Sequence, residues 1–240
     1  MENLIYGVIL AGGQGTRMGN SDKPKQFLEV GGRPVLIHTV EKFAVNPDFY
    51  QIIVLAPKQW LAYTKDIIRK YIRQCENIVV IEGGNTRNET IMNAIQYIEN
   101  MGCLTDETVI VTHDSVRPFV TYRIIEENIR YARECGACDT VIPASDTIVE
   151  SRDGGFISNI PERKTMYQGQ TPQSFRAKRL REIYQSLTEE EREILTDACK
   201  ICVLKNEPVH LVEGDVSNIK ITYPHDLRVA EAILGGNRTC

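Results

Sequence analysis

Residues 10–26 read LAGGQGTRMGNSDKPKQ: four glycines with Arg17, Lys23 and Lys25, directly after a short apolar run. Glycines let backbone N–H groups close on phosphate oxygens, and cations beside them neutralise charge there. The loop therefore predicts bound phosphate, although a glycine turn with solvated lysines would use the same residues. Two common phosphate patterns fail. The dinucleotide fingerprint needs a third glycine, where this chain has Met18, and a carboxylate after the next strand, where it reads VLAPKQ. The P-loop needs Gly-Lys followed by Ser or Thr, which occurs nowhere.

Four further segments carry residues of similar chemistry. GGNTRNET (83–90) is a tight turn whose amides and hydroxyls suit a base edge. THDSVRPF (112–119) sets Asp114 and Arg117 three apart, a carboxylate for Mg²⁺ and a guanidinium for phosphate. YQGQTPQSF (167–175) and SNIKITYPHDL (217–227) complete the set, with Lys220 expected in a short strand. Each is expected where a strand of an open α/β sheet ends, the usual ligand edge.

The elements that must position them alternate. LIYGVIL (4–10), QIIVLA (51–56), NIVVIE (77–82), TVIVTH (108–113) and DTVIPA (139–144) are short and almost continuously apolar, as parallel strands buried on both faces are. Between them, residues 34–45, 60–74, 87–100 and 121–135 carry helical periodicity, with Pro34 near the first turn and Thr121 as a cap. This alternation predicts right-handed βαβ units in a doubly wound α/β sheet. Residues 145–170 break the rhythm with two β-like runs around RDGG, a hairpin signal that predicts a projecting arm. Helices RAKRLREIYQSL and EEEREILTDACKI, a strand pair near 209–222 and a last helix over 224–234 follow.

The chain has 240 residues, 42% of them hydrophobic and 25% charged, with a net charge of −4. A domain this long buries roughly 70–75% of its unfolded surface and needs no disulfide or metal staple. One domain over residues 1–240 is expected. The acidic balance argues against a nucleic-acid partner. No apolar run approaches the ~18 residues of a membrane span, so no membrane association is expected. The start MENLIYGVILAGG lacks the basic region of a signal peptide, and a cytoplasmic location is expected. Two C-x-x-C pairs, Cys135/Cys138 and Cys199/Cys202, lie about sixty residues apart, where a zinc ribbon has roughly 15–20. They are read as small apolar residues packing inward with reduced thiols.

Taken in order, AGGQGTRM, PKQ, GGNTR, HDSVRP, TPQ, LTDA and NIKIT resemble the sugar-phosphate cytidylyltransferases, essentially from end to end. The resemblance implies a Rossmann-like, mostly parallel sheet of the nucleotide-diphospho-sugar transferase type with a β-arm. Two branches share the pattern: 2-C-methyl-D-erythritol 4-phosphate cytidylyltransferases of isoprenoid synthesis, and ribitol-5-phosphate cytidylyltransferases of teichoic-acid and capsule precursor synthesis. THDSVRPF, YQGQTPQSF and LTDACKI resemble the ribitol branch; the other typically reads H-D-A-A-R-P, with alanine or leucine before T-P-Q.

By this resemblance the substrates are CTP and a polyol phosphate, with Mg²⁺ as the cofactor. Leu10, Ala11 and the backbone of Gly12, Gly13, Gln14, Gly15 and Thr16 would follow the nucleotide. Arg17, Lys25 and Lys220 would stabilise charge at the α-phosphate and the departing pyrophosphate. Asp114 would hold the metal. Gly84, Asn85 and Thr90 would face cytosine, although members often carry aspartate and serine at the last two positions. Arg87 is expected to prop the turn, with Ser115 and Arg117 on the nucleotide side. Thr147 and Arg163, on the arm, would grip the acceptor phosphate across a homodimer. A ribulose-5-phosphate reductase is a plausible functional neighbour. His113 is expected to orient the strand end, because a phosphate monoester needs no base at pH 7. Asp197 is open between a helix role and the acceptor pocket, and Asp215 is a candidate second metal ligand. A catalytically silent nucleotide-binding module on the same fold is the reading from another class.

Overall fold

The computed structural model describes residues 4–13, 23–73 and 76–236. Strand β1 (Ile5–Leu10) leads through the glycine loop to a two-stranded ribbon, β2 (Glu29–Val30) and β3 (Arg33–Pro34), and helix α1 (Val35–Ala44). Then come β4 (Gln51–Ala56), α2 (Leu61–Tyr71), β5 (Ile78–Glu82), α3 (Arg87–Asn100), β6 (Val109–Asp114), α4 (Tyr122–Cys135) and β7 (Ala137–Pro143). Strand β8 (Tyr167–Arg176), helices α5 (Ala177–Gln185), α6 (Glu189–Glu193) and α7 (Cys199–Leu204), β9 (His210–Glu213) and α8 (Pro224–Gly236) follow.

The seven main strands lie in the order β5-β4-β1-β6-β8-β7-β9. All run parallel except β8, which pairs antiparallel with both β6 and β7. The expected doubly wound α/β sheet is therefore present. Every residue of β1 is buried, and its side chains divide by alternation. Ile5 and Ile9 join a core with α1, α2 and α4; Tyr6, Val8 and Leu10 join a second core with α3, α5 and α7. Two buried faces are why such strands read as unbroken apolar runs. Gly7 admits no Cβ comfortably, since one would stand 3.0 Å from the Phe43 ring.

Four expectations change. YQGQTPQSF is itself strand, part of the ten-residue β8, and it separates β7 from β6. Its polar composition hides it: buried Gln170, Thr171, Gln173 and Ser174 find partners on β6, β7, α4 and a neighbouring loop instead of packing as apolar residues. In the pair near 209–222 only His210–Glu213 is strand; the stretch with Lys220 is a loop, tied by Ile221 N–H to the Val116 carbonyl at 2.9 Å. The helix EEEREILTDACKI is two short helices, the first closed by a capping box between Thr188 and Glu191. In the arm, a single bridge between Glu150 and Asn159 replaces a regular hairpin. Val149, Phe156, Ile157 and Ile160 are all exposed there.

Candidate active site

Strands β1 and β6 are parallel neighbours with Leu10 opposite Asp114, so their carboxyl ends open on one edge. Ala11 still belongs to the sheet, donating its N–H to the Leu55 carbonyl at 2.8 Å. Gln26 anchors the returning chain: its Nε2 donates to the Ala11 carbonyl at 2.7 Å, with the side chain 1% exposed. A 3-10 turn over Lys25–Phe27 follows Pro24 and places Lys25 beside the glycines. Gln26 thus ties the chain after the glycine loop back to the end of β1. Gln14, Gly15, Thr16 and Arg17 lie outside the described residues.

A cavity of about 420 Å³ opens here. Leu10, Gly12, Gly13, Lys25, Gln26, Gly84, Asn85, Thr86, Arg87, Thr90, Asp114, Ser115, Val116 and Lys220 line it. Its described charged side chains are three cations, Lys25, Arg87 and Lys220, against one carboxylate, Asp114. An acidic protein thus carries a locally basic cavity, as an anionic ligand requires. A second hollow of about 270 Å³ shares Gly12, Gly84 and Asn85 and extends to Pro57, Lys58 and Gln59.

Asp114 ends β6 and is the electrostatic centre. Arg87 pairs with Oδ1, Lys220 Nζ lies 2.9 Å from Oδ2, and Arg117 Nε lies 3.7 Å from Oδ2. Burial alone would raise its carboxyl, but Arg87, Lys220 and Arg117 outweigh burial and hold it well below the usual range. The carboxylate is ionised at any physiological pH.

Behind it, a relay fixes the strand end. His113 Nε2 lies 3.0 Å from the Arg117 carbonyl, which can only accept, so Nε2 carries the proton. Nδ1 then accepts from Thr171 Oγ1 at 2.8 Å, and that oxygen accepts the Asp114 N–H at 3.2 Å. Burial lowers the imidazole to about 4, keeping it neutral. This fits the orienting role expected for His113.

The turn before α3 is held by local hydrogen bonds. Thr86 and Glu89 form a capping box at the start of α3, worth about 1 kcal/mol. Thr90 Oγ1 accepts the Gly84 N–H at 3.0 Å and donates to the Thr86 carbonyl at 2.8 Å. A Cβ on Gly84 would collide with the Glu89 Cβ and stand 2.8 Å from the Glu89 backbone carbon and 2.9 Å from the Thr90 nitrogen, so only glycine fits. Asn85 is exposed, its backbone N–H held by Glu89.

The remaining candidate residues fall in several places, not all of them those the sequence suggests. Arg87 opens α3 and reaches Asp114 rather than propping the turn, which capping already secures. Ser115 lines the cavity. Arg117 does not: its guanidinium is spent on the Asn218 carbonyl at 2.7 Å, fastening the loop that carries Lys220. Lys23 turns toward the Tyr63 hydroxyl, 3.5 Å away. Asp215 accepts the N–H and hydroxyl of Ser217 in a local turn outside the lining. Asp197 divides its oxygens between the Lys200 N–H and Gln173. Thr147 and Arg163 are exposed on the arm, Arg163 donating to the Ser145 carbonyl, and neither lines the cavity. Cys138, Cys199 and Cys202 are buried, and burial raises their thiols, Cys138 and Cys202 to about 12. Cys135 departs from the inward reading and is exposed. Gln26, Thr171, Gln173 and Asn218 hold the site together without being singled out by residue type; their only sequence signal is membership of P-K-Q, T-P-Q and N-I-K.

A glycine loop, clustered cations and one ionised carboxylate at the strand ends of an α/β sheet define a nucleotidyltransferase. Over residues 5–236 the chain matches, and belongs to, the family described as IspD: 2-C-methyl-D-erythritol 4-phosphate cytidylyltransferase. Members are CTP-dependent cytidylyltransferases. Among solved structures, it is similar to 4-diphosphocytidyl-2C-methyl-D-erythritol synthase from Anaerococcus prevotii DSM 20548, with 29% identity, a TM-score of 0.78, and 97% of this chain and 96% of that one covered. The 2-C-methyl-D-erythritol 4-phosphate cytidylyltransferase of Francisella tularensis is 25% identical with a TM-score of 0.79, covering 95% and 99%. That of Thermus thermophilus is 28% identical with a TM-score of 0.69, covering 94% and 97%.

Proposed function

We propose that the protein transfers the cytidylyl group of CTP to D-ribitol 5-phosphate, giving CDP-ribitol and pyrophosphate for teichoic-acid or capsule precursors. The observation that carries the transfer chemistry is Asp114, ionised among Arg87, Lys220 and Arg117 in a cavity edged by Lys25 and the glycine loop. The ribitol acceptor is supported by THDSVRPF, YQGQTPQSF and LTDACKI. A phosphate oxygen of the acceptor attacks the α-phosphorus, and the bond to the β-phosphate oxygen breaks. Both partners are anionic, so positioning and charge neutralisation carry the rate. Lys25, Lys220 and Arg17 serve the α-phosphate and the leaving pyrophosphate, while the backbone of residues 12–16 holds the triphosphate. Gly84, Asn85 and Thr90 face the base.

The donor set suits Mg²⁺ brought in by the nucleotide. One carboxylate is present, and no group of three or more metal-ligating side chains occurs among the described residues. Mg²⁺ characteristically takes one or two carboxylates with substrate phosphates. Asp114 would hold it, and the ion would supply further neutralisation of the phosphates.

The chain is read as one domain whose arm crosses to a second copy, bringing Thr147 and Arg163 to the partner's acceptor phosphate. The exposed arm residues Val149, Phe156, Ile157 and Ile160 support that reading. No helix among the described residues is long and apolar enough to cross a membrane, consistent with a cytoplasmic enzyme drawing ribitol phosphate from a ribulose-5-phosphate reductase. A second reading, 2-C-methyl-D-erythritol 4-phosphate as acceptor, is favoured by the names of the family and of the solved structures. Phosphorus NMR of CTP, Mg²⁺ and each acceptor in turn tests the proposal. Ribitol 5-phosphate should yield a diphosphodiester and pyrophosphate; no turnover with it sinks the ribitol reading.

A further inference from the structure

T-P-Q and L-T-D-A meet in space. Gln173 stands on β8 opposite Thr112 of β6 and Asp139 of β7, and is 2% exposed. Its neighbours orient its amide. Oε1 accepts from Arg87 Nη2 at 3.4 Å, while Nε2 donates to Asp139 Oδ1 at 3.1 Å and Asp197 Oδ2 at 3.3 Å. The carbonyl faces a cation and the NH₂ faces two anions, so the flipped amide would be wrong on both sides.

Arg87 therefore lies between two acidic groups. One is Asp114 in the nucleotide cavity; the other is the pair Asp139 and Asp197. Burial and the nearby Asp197 push Asp139 up to about 6, a strain that a guanidinium would relieve. Two carboxylates should outcompete one for Arg87. A neutral side chain separates them from it.

We propose that Gln173 is a positioning residue: its amide occupies the place where Arg87 would otherwise pair with Asp139 and Asp197, and so keeps the guanidinium on Asp114. Its kinetic readout rests on the cytidylyl-transfer reading; its structural readout does not.

Gln173→Ala opens the path to the acid pair. It should lower kcat about tenfold while the KM for CTP stays within about twofold. In an Asp139→Asn/Asp197→Asn background the attraction is gone, and adding Gln173→Ala should then cost less than about twofold. A residue that only fills space would lose the same factor in both backgrounds. Carbon-13 titration of the Asp139 carboxyl gives the second readout: losing the Gln173 hydrogen bond alone would raise its midpoint, whereas in Gln173→Ala the arriving Arg87 guanidinium should outweigh that loss and make it fall. Gln173→Glu keeps the size should the alanine variant not fold, and places a carboxylate beside Arg87. It should lower kcat in both backgrounds. Equal losses from Gln173→Ala in the two backgrounds, unchanged kcat in Gln173→Glu, or an Asp139 midpoint that does not fall would overturn the proposal. A wild-type enzyme without turnover would instead overturn the function, leaving the titration to decide the role of Gln173.

Discussion

The Thr171 hydroxyl sits 2.8 Å from His113 Nδ1 and accepts the Asp114 backbone N–H at 3.2 Å, binding β8 to the end of β6 where the carboxylate emerges. All three residues are buried, so water cannot replace the hydroxyl. Thr171→Val keeps the shape and orphans both partners. We expect a loss of about 1–3 kcal/mol in urea unfolding, with kcat falling as Asp114 loosens. A stability within about 0.5 kcal/mol of wild type would show that the relay is not structural.

Two buried groups make opposite demands on pH. His113 titrates at about 4 when folded and near 6.5 when unfolded, so its contribution is complete above pH 6.5 and is lost as pH falls toward 4. Asp139 titrates at about 6 when folded and near 3.8 when unfolded, so its contribution is present below pH 3.8 and is lost as pH rises through 6. Each is worth roughly 3 kcal/mol at most, and between pH 4 and 6 they oppose one another. Asp139→Asn removes one side. Its urea midpoint should fall more steeply than that of wild type from pH 6.5 to 4.5; parallel curves would mean that Asp139 is not raised.

Lys25 and Lys220 both line the cavity, one from the turn after Pro24 and one from the loop after Asn218. Replacing either with alanine should reduce kcat/KM on the order of 100- to 1000-fold, as for lost charge stabilisation in a transition state. Thermal melting should stay within a few degrees of wild type. Near-wild-type turnover in either variant would remove that lysine from the chemistry.

Gly84 marks where backbone must touch backbone. Alanine there would force its Cβ against Glu89, whose backbone carbon is 2.8 Å away, and against the Thr90 amide at 2.9 Å. The turn would have to open, breaking the Thr90–Gly84 hydrogen bond. Gly84→Ala should weaken CTP binding at least about tenfold by calorimetry, more than it lowers the melting temperature of the whole protein. Unchanged affinity would place the base elsewhere.

The sequence showed what depends on apolar runs and on glycines. Strands β1 and β4 are legible because burial on both faces leaves stretches almost without polar residues, and β5, β6 and β7 because each carries a short run of β-branched apolar residues. Lys25, Gly84 and Asp114 were legible as cavity-lining residues because their types suit phosphate and metal chemistry. Strand β8 is not, because its buried Gln and Thr residues are satisfied by side chains and backbone groups distant in sequence, which no local pattern reports. For the same reason the sequence suggests a turn prop in Arg87, whose partner Asp114 is 27 residues away. Arg117 and Asp215 mislead in the opposite direction, since residue types suited to phosphate and metal here hold a loop and a turn.

The most direct test of cytidylyl transfer to ribitol phosphate is a competition. Equimolar ribitol 5-phosphate and 2-C-methyl-D-erythritol 4-phosphate are offered with limiting CTP and Mg²⁺, and the two products are counted by mass spectrometry. We expect CDP-ribitol to exceed the methylerythritol product by on the order of 100-fold, a ratio of kcat/KM values set by acceptor contacts. A predominance of the methylerythritol product, or consumption of neither acceptor, would contradict it.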